Sequence, residues 1–163
     1  MTKAGFKELD YDHYPVAEQI ERSLNYYALM DKRRSVREFS DKAIPEEVVE
    51  NIIRTASTAP SGAHKQPWVF CVVKRAEIKK RIREAAEAEE YENYNGRMSE
   101  DWLKDLEKFD TNWKKPFLEI APILIVVFKK TYDELDGEKS KNYYVNESVG
   151  LATGMLLSAI HNA

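Results

Sequence analysis

Three clusters of side chains in this 163-residue chain have the types and spacing to bind charged small molecules. Arg33-Arg34-Ser35-Val36-Arg37 puts three arginines and a serine within five residues. Guanidinium forks suit a phosphate, which they grip through paired N–H donors. The same run also reads as a solvated charged turn, since Asp31, Glu38 and Asp41 stand near enough in sequence to balance it. Pro60-Ser61-Gly62-Ala63-His64 is a loop with a hydroxyl and a glycine just ahead of an apolar run. Such a loop lets backbone N–H groups approach a ligand, and is equally an ordinary helix-to-strand turn. The third cluster is Glu90, Tyr94 and Lys115. Glu90 and Tyr94 are four apart and share a face on a helix. An ammonium would pair with Glu90 and a carboxylate with Lys115, so together they could hold both ends of a zwitterion. Taken alone, Glu90 fits a solvated acidic helix face just as well, and Lys115 an ordinary surface position.

Other chemistry finds little support. There is no P-loop, GxGxxG, GxSxG or HExxH pattern. His13, His64 and His161 lie far apart without metal-ligand spacing, so no metal site is expected. No side chain stands out as a nucleophile or general base, and none is assigned a catalytic role. Cys71, the one cysteine, excludes an internal disulfide and suits a reducing compartment. Its place inside an apolar run makes it an expected small core residue. With 25 basic and 28 acidic residues the net charge is -3, which argues against nucleic acid or an anionic membrane as partner. At 43% apolar and 33% charged, the chain reads as one soluble globular domain. Its longest apolar run, residues 123–128, falls far short of the ~20 residues of a membrane helix. The first residues carry no apolar signal core, so a cytoplasmic location is expected.

The elements that must position these clusters follow from periodicity and punctuation. Residues 1–13 read as an arm. Pro15 opens a helix carrying Val16, Ile20, Leu24 and Tyr27. Pro45 opens a second, with Val48, Val49, Ile52, Ile53 and Ala56 on one face, stopping at Ala59-Pro60. Residues 68–73 are continuously apolar and β-branched or aromatic, predicting a strand covered on both faces. Residues 77–94 are predicted helical, with Ile78, Ile82 and Ala85 or Ala86 inward. The far half holds Glu84, Glu87, Glu89, Glu90 and Glu92 with no basic residue among them. Ser99 is placed to cap a short helix bearing Trp102, Leu103, Leu106 and Phe109. Residues 123–128 predict a second buried strand, residues 132–141 a charged loop around Gly137, and residues from about 143 a final helix. Gly150 and Gly154 in that helix allow close packing, either internally or across a dimer interface. Two strands rarely make an independent sheet, so the sequence is expected to be part of a longer domain.

Together these segments resemble the nitroreductase superfamily of flavin enzymes, and within it the iodotyrosine-deiodinase branch. The resemblance rests on Arg33-Arg34-Ser35-Val36-Arg37, Arg54-Thr55-Ala56, Thr58-Ala59-Pro60-Ser61-Gly62-Ala63-His64 and Pro67-Trp68. It continues through Asn93-Tyr94, Arg97-Met98, Trp102, Asp105-Leu106, Thr111-Asn112-Trp113, Ala121-Pro122-Ile123-Leu124-Ile125 and Tyr143-Tyr144. It implies an α/β (α+β) fold, with a central sheet flanked by helices, in a homodimeric family. It also implies one FMN-binding domain over residues 1–163, with a substrate lid at residues 84–115. By that resemblance, Arg33, Arg34, Ser35, Val36 and Arg37 hold the FMN phosphate, ribityl chain and part of the ring, with Ser61 and Gly62 approaching from the loop. The Ala63 N–H would bond a phenolate, and Glu90, Tyr94 and Lys115 would take a zwitterion and close over the flavin. The implied reaction is reductive dehalogenation of a halotyrosine, with electrons from NAD(P)H directly or through a reductase.

Family members continue past the position matching Ala163. That region adds strands, a threonine that bonds the flavin N5, another phosphate-binding arginine and an exchanged arm, and none has a counterpart here. Without the N5 donor the alternatives are a broad nitroreductase or quinone reductase, or a flavin-binding fragment without activity.

Overall fold

The computed structural model describes residues 8–163, in two compact units that divide between Arg34 and Ser35. The first seven residues of the expected arm lie outside the described residues, and residues 8–13 form no helix or strand. The first unit is built on α1 (Val16–Met30), entered at Pro15 as expected. Its turns are stitched by an Arg22–Glu18 ion pair at 2.8 Å, with the Arg22 guanidinium 3.7 Å from the Tyr14 ring centroid. No α1 residue is buried.

The second unit begins with α2 (Glu46–Ser57). Acidic residues in its first turn and Arg54 in its last complement the helix dipole, and Val49, Ile52 and Ala56 form its buried stripe. Next come β1 (Trp68–Val73), α3 (Ala76–Glu92), a π-helical turn (Asn93–Arg97) and α4 (Glu100–Glu107). The Ser99 hydroxyl accepts the Trp102 N–H at 3.3 Å, so the expected N-cap forms. After α5 (Phe117–Ile120) the chain enters β2 (Leu124–Lys129), β3 (Tyr132–Leu135), β4 (Glu138–Lys141) and α6 (Val145–Asn162).

β1 and β2 pair antiparallel, with Phe70 opposite Val127 and Val69 opposite Phe128. α2 and α6 cover the first of these faces. Ile52, Ala56 and Leu156 form one buried cluster, and Ala59, Trp68 and Ala152 a second, with Phe70 packed against both. Ala56 and Ala152 are fully buried, which lets the helices sit close over the strands.

The expectation of a strand covered on both faces is corrected here. Side chains alternate along β1, and the side that carries Val69, Cys71 and Val73 is covered only at its Val73 end, where Val73 is 9% exposed. Val69 is 43% and Phe128 55% exposed on that side. Cys71 shares that open side and is exposed, so it is not the core residue expected.

The expected charged loop at 132–141 is a hairpin instead. Asp136 (φ 51) and Gly137 (φ 82) both take left-handed geometry, the pairing that a two-residue hairpin turn requires. The Asp-Gly signal was readable, but strands as polar as Glu138–Lys141 lack the alternation that marks a half-buried strand. Asn142, buried behind the hairpin, donates its backbone N–H to Thr131 O and its side-chain N–H to Lys130 O.

Leu156→Ala should lower stability by about 2–5 kcal/mol through cavity formation. Ile160→Ala, 45% exposed on the same helix, should cost under about 1 kcal/mol. Urea denaturation of the two variants checks the contrast. The hairpin carries a pH signature. A hydrogen bond from the Lys130 ammonium at 2.7 Å holds the Asp133 carboxyl below its usual value. Its contribution is present above the ordinary carboxylate value of about 3.9 and lost as pH falls through the folded value. In a carbon-detected NMR titration, Lys130→Met should raise Asp133 toward the ordinary value.

Candidate functional site

Glu90, Tyr94 and Lys115 meet. Glu90 lies in the last turns of α3 and Tyr94 in the π-helical turn directly after it. Lys115 arrives from residues 111–116, the segment leading into α5. Its Nζ is 3.2 Å from Glu90 Oε2, with the two side chains only 19% and 32% exposed. At that burial the pair is more than a solvated surface contact. The same Nζ donates to Asn112 O at 2.7 Å and lies 5.9 Å from the Tyr94 ring centroid. The Tyr94 hydroxyl is 3.1 Å from Thr111 Oγ1, and the Tyr91 and Trp113 rings meet edge-on at 5.4 Å.

The carboxylate block of α3 therefore draws cations from outside the block. Lys80 pairs with Glu84 at 3.8 Å, Arg83 with Glu87 at 3.9 Å and Lys115 with Glu90, while Arg97 pairs with Glu89. Glu87 also accepts the Lys115 backbone N–H at 2.7 Å. Sequence reading counted Glu87 among the acids without giving it a role. The partner was out of view because residue 115 is brought back only by the turn through α4.

The loop after α2 is held from two sides. Ser61 is extended, and its Oγ accepts the Gln66 N–H at 2.9 Å, which leaves its own O–H to donate elsewhere. Ala63 (φ 49), His64 (φ 53) and Gln66 (φ 45) occupy the left-handed region, at a cost of roughly 1–2 kcal/mol each for residues with a Cβ. The Gly62 N–H is 3.4 Å from Ser148 Oγ on α6, and Lys65 Nζ is 3.2 Å from Ser140 Oγ on β4. A Cβ on Gly62 would stand 2.9 Å from both Tyr143 O and Tyr144 Cδ2. Glycine is thus required by close packing, not by its backbone angle. Ser148 was not singled out from sequence: a serine inside a helix carries no signal of a loop far off in the chain.

Arg33 and Arg34 close the first unit, while Ser35, Val36 and Arg37 open the second, and all five are exposed. Arg34 Nη1 donates to the backbone carbonyls of Asp31 at 2.5 Å and Arg33 at 2.9 Å. Among the described residues of the first unit Asp31 forms no ion pair with Arg33 or Arg34, and within the second Glu38 and Asp41 form none with Arg37. No helix among the described residues is long and apolar enough to cross a membrane.

Residues 30–162 match the nitroreductase family model, and the chain belongs to that family. It is 66% identical over 147 residues to an iodotyrosine deiodinase of Haliscomenobacter hydrossis, covering 90% of this chain and 66% of that protein. It is 50% identical over 151 residues to an iodotyrosine deiodinase of Danio rerio, covering 92% of this chain and 51% of that protein. The chain thus spans between about half and two thirds of the length of these relatives. A crystal structure of oxidized iodotyrosine deiodinase bound to FMN and 3-iodo-L-tyrosine superposes with a TM-score of 0.73 at 34% identity, over 84% of this chain and 69% of that one. The expected nitroreductase-like α+β fold is borne out.

Gly62→Ala forces the loop away from Tyr143 and Tyr144, and should destabilise by about 1–3 kcal/mol. Thermal unfolding beside Gly150→Ala checks this, because a Cβ at position 150 meets nothing within 4 Å.

Proposed function

We propose that this chain carries the FMN and substrate sites of a reductive halotyrosine dehalogenase, converting iodotyrosine to tyrosine and iodide. The observation that carries the reading is the half-buried Lys115–Glu90 ion pair beside Tyr94. Two opposite charges held together at a partly dry site are matched to a ligand bearing both an ammonium and a carboxylate. The 66% identity to a bacterial iodotyrosine deiodinase supports the same substrate class.

The donor set fits FMN in chemical terms. Arg33, Arg34 and Arg37 are exposed cations whose guanidinium donors suit a phosphate, although Arg34 Nη1 already donates to two backbone carbonyls, and Ser61 keeps a hydroxyl proton to donate. In this reading Arg33, Arg34, Ser35, Val36 and Arg37 hold the cofactor, with Ser61 and Gly62 approaching it from their loop. When bound, reduced flavin supplies two electrons that, with one proton, replace the carbon–halogen bond by carbon–hydrogen and release halide. The chain's own residues bind and orient. The Ala63 N–H donates to the phenolate oxygen, Glu90 accepts from the substrate ammonium, and Lys115 donates to its carboxylate. Tyr94 covers the ion pairs and excludes water, which strengthens them. Residues 84–115 act as the substrate lid of a single FMN-binding domain.

Homodimer formation is part of the proposal. Gly150 and Gly154 leave open space on α6, and Leu151, Leu157 and Ile160 are exposed on the same helix. NAD(P)H, directly or through a reductase, is the proposed electron donor. A cytoplasmic location accords with one exposed free thiol.

Anaerobic turnover of the reduced, FMN-loaded protein with 3-iodotyrosine, scored by iodide release, tests the reading. Lys115→Ala should lower kcat/KM for iodotyrosine at least about thirtyfold, as expected from removing one partner of a hydrogen-bonded charge pair. Reduction of a nitroaromatic lacking the amino-acid group should be little changed. Iodide release indifferent to Lys115 would instead favour a broad nitroreductase.

A further inference from the structure

Lys79, Arg83 and Glu87 stand at successive four-residue steps on α3 and share one face. Each reaches the stretch that carries Lys115. Lys79, buried, donates from Nζ to Glu119 O and Ala121 O, both at 2.8 Å, and so closes the carbonyl end of α5. Arg83 Nε lies 2.9 Å from Glu119 Oε2, an ion pair that does not satisfy the N–H as a hydrogen bond. Glu87 Oε1 accepts the Lys115 backbone N–H at 2.7 Å, with its side chain 17% exposed. The three contacts bind residues 115–121 to α3 in a single register.

The last of them divides the labour at Lys115. Glu87 takes the main-chain N–H, and Glu90 takes the ammonium. A ligand that draws the ammonium away from Glu90 leaves the main-chain bond in place. We propose that Glu87 is a positioning residue. It pins the Lys115 backbone to α3, so that the ammonium is presented beside Glu90 and Tyr94 when a zwitterionic ligand replaces the internal ion pair. This inference rests on reading Glu90, Tyr94 and Lys115 as a zwitterion site. Its effect is confined to the amino-acid part of the ligand. A halophenol, with neither ammonium nor carboxylate, gains nothing from a preset Lys115.

The experiment uses the full FMN-loaded protein and two measurements. Calorimetric titration compares 3-iodotyrosine with 2-iodophenol, and amide hydrogen exchange follows the Lys115 N–H. Glu87→Ala should weaken iodotyrosine binding about tenfold or more, the scale of a lost hydrogen bond to a charged group, and speed Lys115 exchange about tenfold. Iodophenol binding should stay within about twofold. Glu87→Gln keeps an acceptor oxygen and should remain within about threefold of the wild type in both measurements. Glu87→Leu, similar in bulk and without an acceptor, should reproduce the loss and serves where Glu87→Ala does not fold. Unchanged exchange and affinity in Glu87→Ala would overturn the positioning role. So would an equal loss for both ligands, which marks general damage to the fold. Wild-type protein that binds no iodotyrosine would overturn the zwitterion reading and the inference with it. Wild-type binding that is indifferent to Glu87 overturns the inference alone.

Discussion

The close approach of α2 and α6 over one face of the β1–β2 pair is the constraint on which the second unit depends. It is helped by two fully buried alanines, Ala56 clustered with Leu156 and Ala152 with Ala59 and Trp68, whose single methyl groups take little room. α6 is thereby fixed at its start as well as its middle. Ser148, one turn above Ala152, meets the Gly62 N–H, and Tyr143 and Tyr144 fill the space that a side chain at position 62 would need. The packing that forms the core also sets the conformation of the loop carrying Ser61, Gly62 and Ala63. Three left-handed residues with side chains persist there because contacts with α6 and β4 over-determine the path.

The site on the far half of α3 is organised by charge. Helix α3 presents acids at nearly every turn of its second half, and an isolated helix of that kind would repel itself. Cations from Arg83, Arg97 and Lys115 answer most of that charge, two of them from further along the chain. Folding of residues 93–115 back on α3 is thus favoured electrostatically, beyond the edge-on contact of the Tyr91 and Trp113 rings.

What could be read beforehand follows the range of the interactions. Helices α1, α2, α3, α4 and α6 were legible because prolines, the Ser99 cap and apolar spacing are local signals. Both strands of the core pair were legible as apolar runs, but which faces would be covered depends on the number of layers. No window of sequence contains that, and Val69, Cys71 and Phe128 were misjudged for that reason. The β3–β4 hairpin was missed because its strands are solvated on both sides, leaving only Asp136 and Gly137 to announce it. Lys115 beside Glu90 was reachable through resemblance to a family alone. Spacing by itself left both residues free to be ordinary surface charges, and Glu87 and Ser148 were not reachable at all.

Because Lys115 and Glu90 already hold each other, entry of a ligand into the proposed site is an exchange of partners. One ion pair opens, and a zwitterion replaces it with two. An amine without an acid would leave the lysine stranded, and an acid without an amine would strand the glutamate. Either stranded charge is costly at this degree of burial. Such a site rejects singly charged analogues through electroneutrality, before the shape of the aromatic ring is consulted.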